Sequence, residues 1–435
     1  MNIEDLMENV HDFFIEKYEG VDKSSSFLSF EPLGTVIDPE DFEHETEEIS
    51  ELQAREQLSI MGDRLPEINP MYLTNTFRLS DVYEDLIKSS QFTGVKINLE
   101  DKSKYIAKFS EVRSEVVQKF EDASKSSITT PEGMYLPVYG SPKKWFDPKG
   151  SFWMAKSFSA KGPKKTAASK GTKTQKMLVP LMWRPKLEAN VLEVKGKAKT
   201  KQATPVKKAI ALNKLQTQVL AKPVFSKVHF ASQPKRNRAA LSKKPSPVKV
   251  QPKKKPKSVK AKTKLASNFF LNDLSVLKHL QVAERARLTN TMAQNTKVPT
   301  EPVHSNEFSM SFEYCIVKLH RPWFDSSLFH YRKLWYSMTH DKGYFSTGAK
   351  DETNKGVLKC IPTAMIIIKN LKLTAAWTED DKKNAKSSVG LGIFNVNDSV
   401  FMGNDLVNPG MQIIGWMCQV MPEMPVLNDP NISME

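Results

Sequence analysis

Between Lys161 and Lys264 the chain carries 30 Lys or Arg against 2 Asp or Glu, and no other feature limits its folding so strongly. Like charges at this density repel one another. The Pro, Ala, Ser and Thr between them offer too little apolar surface to offset the entropy of ordering. The last part, "KKPSPVKVQPKKKPKSVKAKTK", is expected to be disordered or extended in the manner of polyproline II. Flexible stretches are expected at 162–176 and 234–264. Three apolar islands interrupt the run: "MLVPLMW" (Met177 to Trp183), "NVLEVKGK" and "KPVFSKVHFA". Each has the composition of a strand or a short docking segment.

The run also polarises the charge. Of the 435 residues, those from Met1 to Ser50 hold 2 Lys or Arg against 15 Asp or Glu. The formal net charge is +15, so everything outside the basic run sums to about -13. An acidic body with a basic segment is a statement about partners. The basic side chains Lys235, Arg236, Arg238, Lys243, Lys244, Lys249, Lys253, Lys254, Lys255, Lys257, Lys260, Lys262 and Lys264 are the candidate polyanion-binding residues. In composition the segment resembles the tails of linker histones and other polyanion binders, with "SPVK" and "GSPKK" as suggestive pieces. Lys far outnumbers Arg, which favours diffuse neutralisation of phosphates over bidentate recognition of bases. A plain linker, or a tether pairing with the acidic N-terminal region, are the competing readings.

Residues 1–130 read as a helical, acidic region. Ile3, Leu6, Met7, Val10, Phe13, Phe14 and Tyr18 follow helical spacing between Asn2 and Gly20. Ser80 is the expected cap of a helix burying Val82, Tyr83, Leu86 and Ile87. Tyr105, Phe109, Val112, Val116 and Phe120 form the stripe of a third helix. Residues 131–160 mix Pro, Gly and aromatics, as in loops or short strands packing on the body. Residues 265–308 read as a helix around "NDLSVLKHLQVAERARL" with a connector.

Residues 309–435 read as a β-rich domain. In "SMSFEYCIVKL", Met310, Phe312, Tyr314 and Ile316 fall on one face and Cys315, Val317 and Leu319 on the other. In "TAMIIIKNLKLTAAW", Met365, Ile367, Leu371 and Leu373 share one parity. "VGLGIFNV" and "GMQIIGWMCQVMP" read as two further strands. Apolar residues on both faces require a sheet covered on both sides, either a sandwich or a helix-covered sheet. The expected fold is α+β: a helical acidic N-terminal region, a Lys-rich partly disordered middle, and a β-rich C-terminal domain.

The densest collection of reactive side chains lies from Phe312 to His340. Pro322 should end the strand, Asp325 should cap a helix, and Leu328, Tyr331, Trp335 and Met338 should form its apolar face. His320 and Arg321, at the strand end, are the only weak site candidates there. A metal site fits badly, because His330 and His340 are ten residues apart and neither an H-x-x-x-H nor a C-x-x-C spacing occurs. The G-x-S-x-G elbow of a nucleophilic serine is absent. A phosphate loop fails at Ser157, where a glycine is needed, and at Pro163, which removes an N–H. Cys315 or Cys360 near His320 remains a remote candidate for thiol chemistry. No catalytic residue, metal or cofactor is assigned.

Three cysteines are too few for a disulfide framework. The acidic N-terminus lacks the positive start of a secretory signal, and no apolar run reaches the roughly 18 residues of a membrane span. A cytoplasmic protein is expected. Three segments, "SFEYCIVKLHRPWF", "IPTAMIIIKNLKLTAAW" and "VNPGMQIIGWMCQVMPEMPVL", resemble an uncharacterised bacterial protein family over the C-terminal ~125 residues. The resemblance implies no activity, cofactor or site residue. The leading expectation is a non-enzymatic binding or structural protein engaging DNA, RNA or an anionic surface. A self-assembling component or effector, forming homo-oligomers, is second, and an enzyme of unknown class is third.

Overall fold

The computed structural model describes residues 3–18, 24–93, 99–130, 133–159, 182–185, 281–295, 301–302, 308–331 and 335–429. Apart from 182–185, the basic run lies outside them, as do the two stretches expected to be flexible. Among the described residues the first elements are α1 (Ile3–Lys17), β1 (Ser26–Ile37), α2 (Glu47–Gly62), β2 (Arg64–Pro66), β3 (Thr74–Arg78) and α3 (Leu79–Ser89). They are followed by β4 (Ser90–Phe92), α4 (Leu99–Ser124), β5 (Ile128–Thr130), β6 (Gly133–Tyr135), β7 (Tyr139–Ser141) and β8 (Met154–Phe158). Then come β9 (Met182–Pro185), α5 (Val282–Asn295), β10 (Glu301–Pro302), β11 (Phe308–His320), β12 (Trp335–Ser337) and β13 (Cys360–Ala375). The chain closes with α6 (Glu379–Ser387), β14 (Ser388–Leu391), β15 (Phe394–Asn395), β16 (Val400–Met402), β17 (Asp405–Asn408) and β18 (Met411–Val420).

The protein is α+β. Its centre is an antiparallel sheet in the order β1-β18-β13-β11, with β7 and β8 pairing different parts of β11. The register sets Cys315 opposite Ile367 and Met365 opposite Trp416. The alternation expected of β11 holds: Phe308, Met310, Phe312 and Tyr314 enter one core and Cys315, Val317 and Leu319 the other. Helix α1 supplies Leu6, Met7, Val10, Phe14 and Tyr18 to the first core. Helices α2 and α5 cover the opposite face with Ala54, Leu58, Met61, Val282, Ala283 and Ala286. The sheet is therefore helix-covered rather than one half of a sandwich. A third core joins α3 and α4 to Trp323, Trp335 and Phe345.

Several expectations are corrected. The region before residue 130 is not simply helical, because β1 is a twelve-residue strand of the central sheet. The single parity expected along β13 breaks: Met365 and Ile367 face the α2/α5 core, whereas Leu371 and Leu373 face the α1 core. Asn370 (φ 52°) lies between them, and the β11 register slips at Ser311/Glu313 just opposite. One bulged residue reverses every side chain beyond it. Ser80 does not cap α3, which begins at Leu79; its N–H and hydroxyl instead donate to the Asp63 carboxylate.

The helix expected over Leu328 to Met338 is a single 3-10 turn, Ser327–His330. Its N-cap is Ser326, with no side-chain capping bond, rather than Asp325, whose Oδ1 accepts from the Ser327 N–H two residues on at 2.9 Å. Trp335 then enters β12, opposite Phe92 of β4. Burial of Trp335 against α3 and α4, with a backbone ladder to β4, outcompetes the weak helical spacing. "VGLGIFNV" is a hairpin rather than one strand, turning at Gly392 (φ 62°) between β14 and β15.

Candidate functional site

The unusual chemistry of the described residues lies under β1. Phe30 pairs with Gly415 and Thr35 with Ile413, so the residues from Glu31 to Gly34 bulge out of the ladder. The bulge is braced from both sides: Tyr72 N–H donates to Phe30 O and Phe30 N–H to Pro70 O, both at 2.7 Å. Gly34 N–H donates to Ile393 O at 2.7 Å, and a Cβ on Gly34 would sit 2.0 Å from Gln412 Oε1. Bulges re-aim side chains. This one drives Glu31 into the interior, where it is fully buried.

Trp416 Nε1 donates to Glu31 Oε1 at 2.6 Å. The Tyr72 ring stacks on the Trp416 indole, centroids 4.9 Å apart and planes 18° from parallel. Arg64 reaches in from β2, and its Nη2 donates to Ala283 O at 2.6 Å. Burial pushes the Glu31 carboxyl up to about 7, against the opposing pull of the Trp416 donor and the Arg64 charge. Burial likewise lowers the Arg64 guanidinium and raises the Tyr72 phenol. Three buried polar atoms here, Glu31 Oε2, Arg64 Nη1 and Tyr72 Oη, have no hydrogen-bond partner among the described residues. Nothing in the local sequence announces this cluster. A glutamate between Phe30 and Pro32 signals burial only once the sheet exists.

A second buried group lies at the junction of α2 and α3. Asp63 Oδ1 accepts from Ser80 N and Oδ2 from Ser80 Oγ, each at 2.7 Å. It therefore satisfies an orphan donor in the first turn of α3. Burial raises its carboxyl to about 6, and the Ser80 bonds oppose that rise. Arg321 donates from Nε (3.2 Å) and Nη2 (2.8 Å) to Gly62 O, the last carbonyl of α2. Burial pulls this guanidinium down to about 10, so it stays charged at neutral pH. A cation on the final carbonyl of a helix complements the helix dipole.

The two weak candidates thus separate. Arg321 is engaged with Gly62 O, and His320 is exposed with no side-chain hydrogen bond or ion pair among the described residues. His340 Nε2 lies 2.7 Å from Asp85 and its ring stacks on Tyr344 at 3.9 Å, far along the chain from either. Cys315 is buried with its thiol pushed up to about 12 by desolvation. Cys360 is raised well above the ordinary thiol range, by burial first and by neighbouring Cys418 second. Neutral buried thiols are poor nucleophiles. No three His, Cys, Asp or Glu side chains among the described residues are arranged to hold a metal ion. The cluster can take up or release a proton at Glu31; it sets no nucleophile beside a base. The basic side chains from Lys235 to Lys264 lie outside the described residues.

No helix among the described residues is long and apolar enough to cross a membrane. Fold and interior together define an α+β protein built on a helix-covered antiparallel sheet with a buried carboxylate at its bulge. No protein family, curated protein or solved structure matches the chain.

Proposed function

We propose that the protein is a non-enzymatic binding protein whose Lys-rich segment engages a polyanion, DNA, RNA or an anionic surface, without reading sequence. The observation that carries this is the segregation of charge: about +28 lies within 161–264, and the remaining residues sum to about -13. The folded body supports it from the other side, because many of its cations are committed to neighbouring carboxylates. Lys88 pairs with Glu84, Lys108 with Glu111, Lys119 with Asp325, Lys143 with Glu51, Lys144 with Glu47, and Lys372 with Asp405. Such exposed pairs add little stability, but they leave the body a weak polyanion ligand.

Self-assembly through the acidic N-terminal region is the second reading. It is favoured by Glu43, Glu45 and Glu48, which are exposed and make no ion pair among the described residues. One salt series separates the two. The intact chain and a variant with Lys253, Lys254, Lys255 and Lys257 changed to Gln are titrated with duplex DNA, RNA and anionic vesicles, with particle mass recorded. Each lysine that neutralises a phosphate adds about 0.9 to the slope of log K against log salt, so the variant should lose about 3 to 4. An unchanged slope removes the first reading. Salt-sensitive assembly without ligand binding establishes the second.

A further inference from the structure

We propose that Glu31, Arg64 and Tyr72 jointly bind an ordered internal water, which bridges β1, β2 and the loop before β3 beneath the Trp416 indole. Glu31 Oε2, Arg64 Nη1 and Tyr72 Oη are buried and lack hydrogen-bond partners among the described residues. No hydrogen bond or ion pair joins any two of these three side chains, although Trp416 touches both Glu31 and Tyr72. Buried polar groups are almost always satisfied, and an unmet one costs far more than a bridged one.

The chemistry of the three atoms selects the occupant. Once Glu31 is ionised, above about pH 7, its carboxylate oxygen only accepts, the guanidinium nitrogen only donates, and the phenol does either. An anion would face Glu31, and a cation would face Arg64. What satisfies both is a neutral molecule that donates and accepts at once. Glu31 and Tyr72 are each 0% exposed, so the molecule must also be small enough to be enclosed as the chain folds. Water meets all three conditions, and about three hydrogen bonds is the usual complement of a buried one. It would accept from Arg64 Nη1, donate to Glu31 Oε2, and share its remaining bond with the Tyr72 hydroxyl.

The test uses the full chain and Tyr72→Phe, which keeps the ring stacked on Trp416 and removes one of the three partners. Oxygen-17 relaxation dispersion counts long-lived internal waters. The wild type should show one that Tyr72→Phe loses or exchanges faster, and identical profiles overturn the proposal. Stability gives a second reading. If the hydroxyl binds water, Tyr72→Phe is less stable than wild type; if the hydroxyl is simply unmet, its removal is neutral or stabilising and the proposal fails. A crystal structure of the wild type should place an oxygen about 3 Å from all three atoms. A direct Glu31–Tyr72 or Glu31–Arg64 bond closing that space overturns it.

Discussion

Glu31→Gln should remove a pH-dependent cost that the wild type carries at neutral pH. The Glu31 carboxyl titrates at about 7 in the folded protein and near its ordinary 4.5 when unfolded. Below pH 4.5 it is protonated in both states and costs nothing. Between 4.5 and 7 the folded state binds more protons than the unfolded one, so stability falls as pH rises. Above 7 the full cost is present, about 3 kcal/mol. Gln keeps an acceptor for Trp416 Nε1 but does not ionise. The groups facing Glu31 are Arg64 on β2, Tyr72 in the following loop and Trp416 on β18. The Tyr72 phenol is raised above its ordinary value, so it does not change charge in this window.

Urea unfolding of wild type and variant at pH 5 and pH 8 isolates the effect, because any pH-independent cost of the substitution cancels in the comparison. The stability difference in favour of Glu31→Gln should grow by about 2.5 kcal/mol from pH 5 to pH 8. A difference that stays flat would show that Glu31 is not held as a desolvated carboxyl, and the reasoning from the bulge would fail with it.

Gly34→Ala should destabilise by about 1 to 3 kcal/mol in the same urea assay, because the new Cβ would meet Gln412 Oε1 at 2.0 Å. Arg321→Lys should cost about 1 to 2 kcal/mol by losing the two-nitrogen contact with Gly62 O, whereas His320→Ala should stay within about 0.5 kcal/mol. If His320→Ala is the costlier of the two, the structural assignment of Arg321 is wrong. Ile367→Ala, emptying the α2/α5 core, should cost about 2 to 5 kcal/mol and lower the thermal midpoint accordingly.

How legible these features are in the sequence depends on whether each is local. The two faces of β11 can be read from alternation, since its side chains keep a period of two from Phe308 to Leu319 even where its pairing with β13 slips. The apolar stripe of α1 is legible for the same reason. Beyond Asn370 the parity of β13 is not, because an asparagine at positive φ looks like any polar residue until the ladder shows the slip. Strand β1 is hidden by Pro32 and Gly34, which read as loop signals and in fact lie within the bulge. Arg321 attracts a functional reading by its place at a strand end. Only the fold reveals that the end of α2 lies within its reach.

Two irregularities of the central sheet, one on each side of β18, fall at the same place. On β18, Gly415 pairs with Phe30 on one side and Ile366 on the other, while Ile413 pairs with Thr35 and Ile367. Ile414 is skipped by both neighbours. This extra residue explains why Ile413 and Trp416, three apart, share the α2/α5 core, while Ile414 and Met417 share the α1 core. Without the skip, strict alternation would send Trp416 to the face opposite Ile413, and Glu31 would lose its donor. Gly415 makes the close approach tolerable, since a Cβ there would lie 3.0 Å from Ser29 O. The buried carboxylate is therefore not an isolated oddity of β1. It depends on a kink in the neighbouring strand that delivers the indole N–H to the same face.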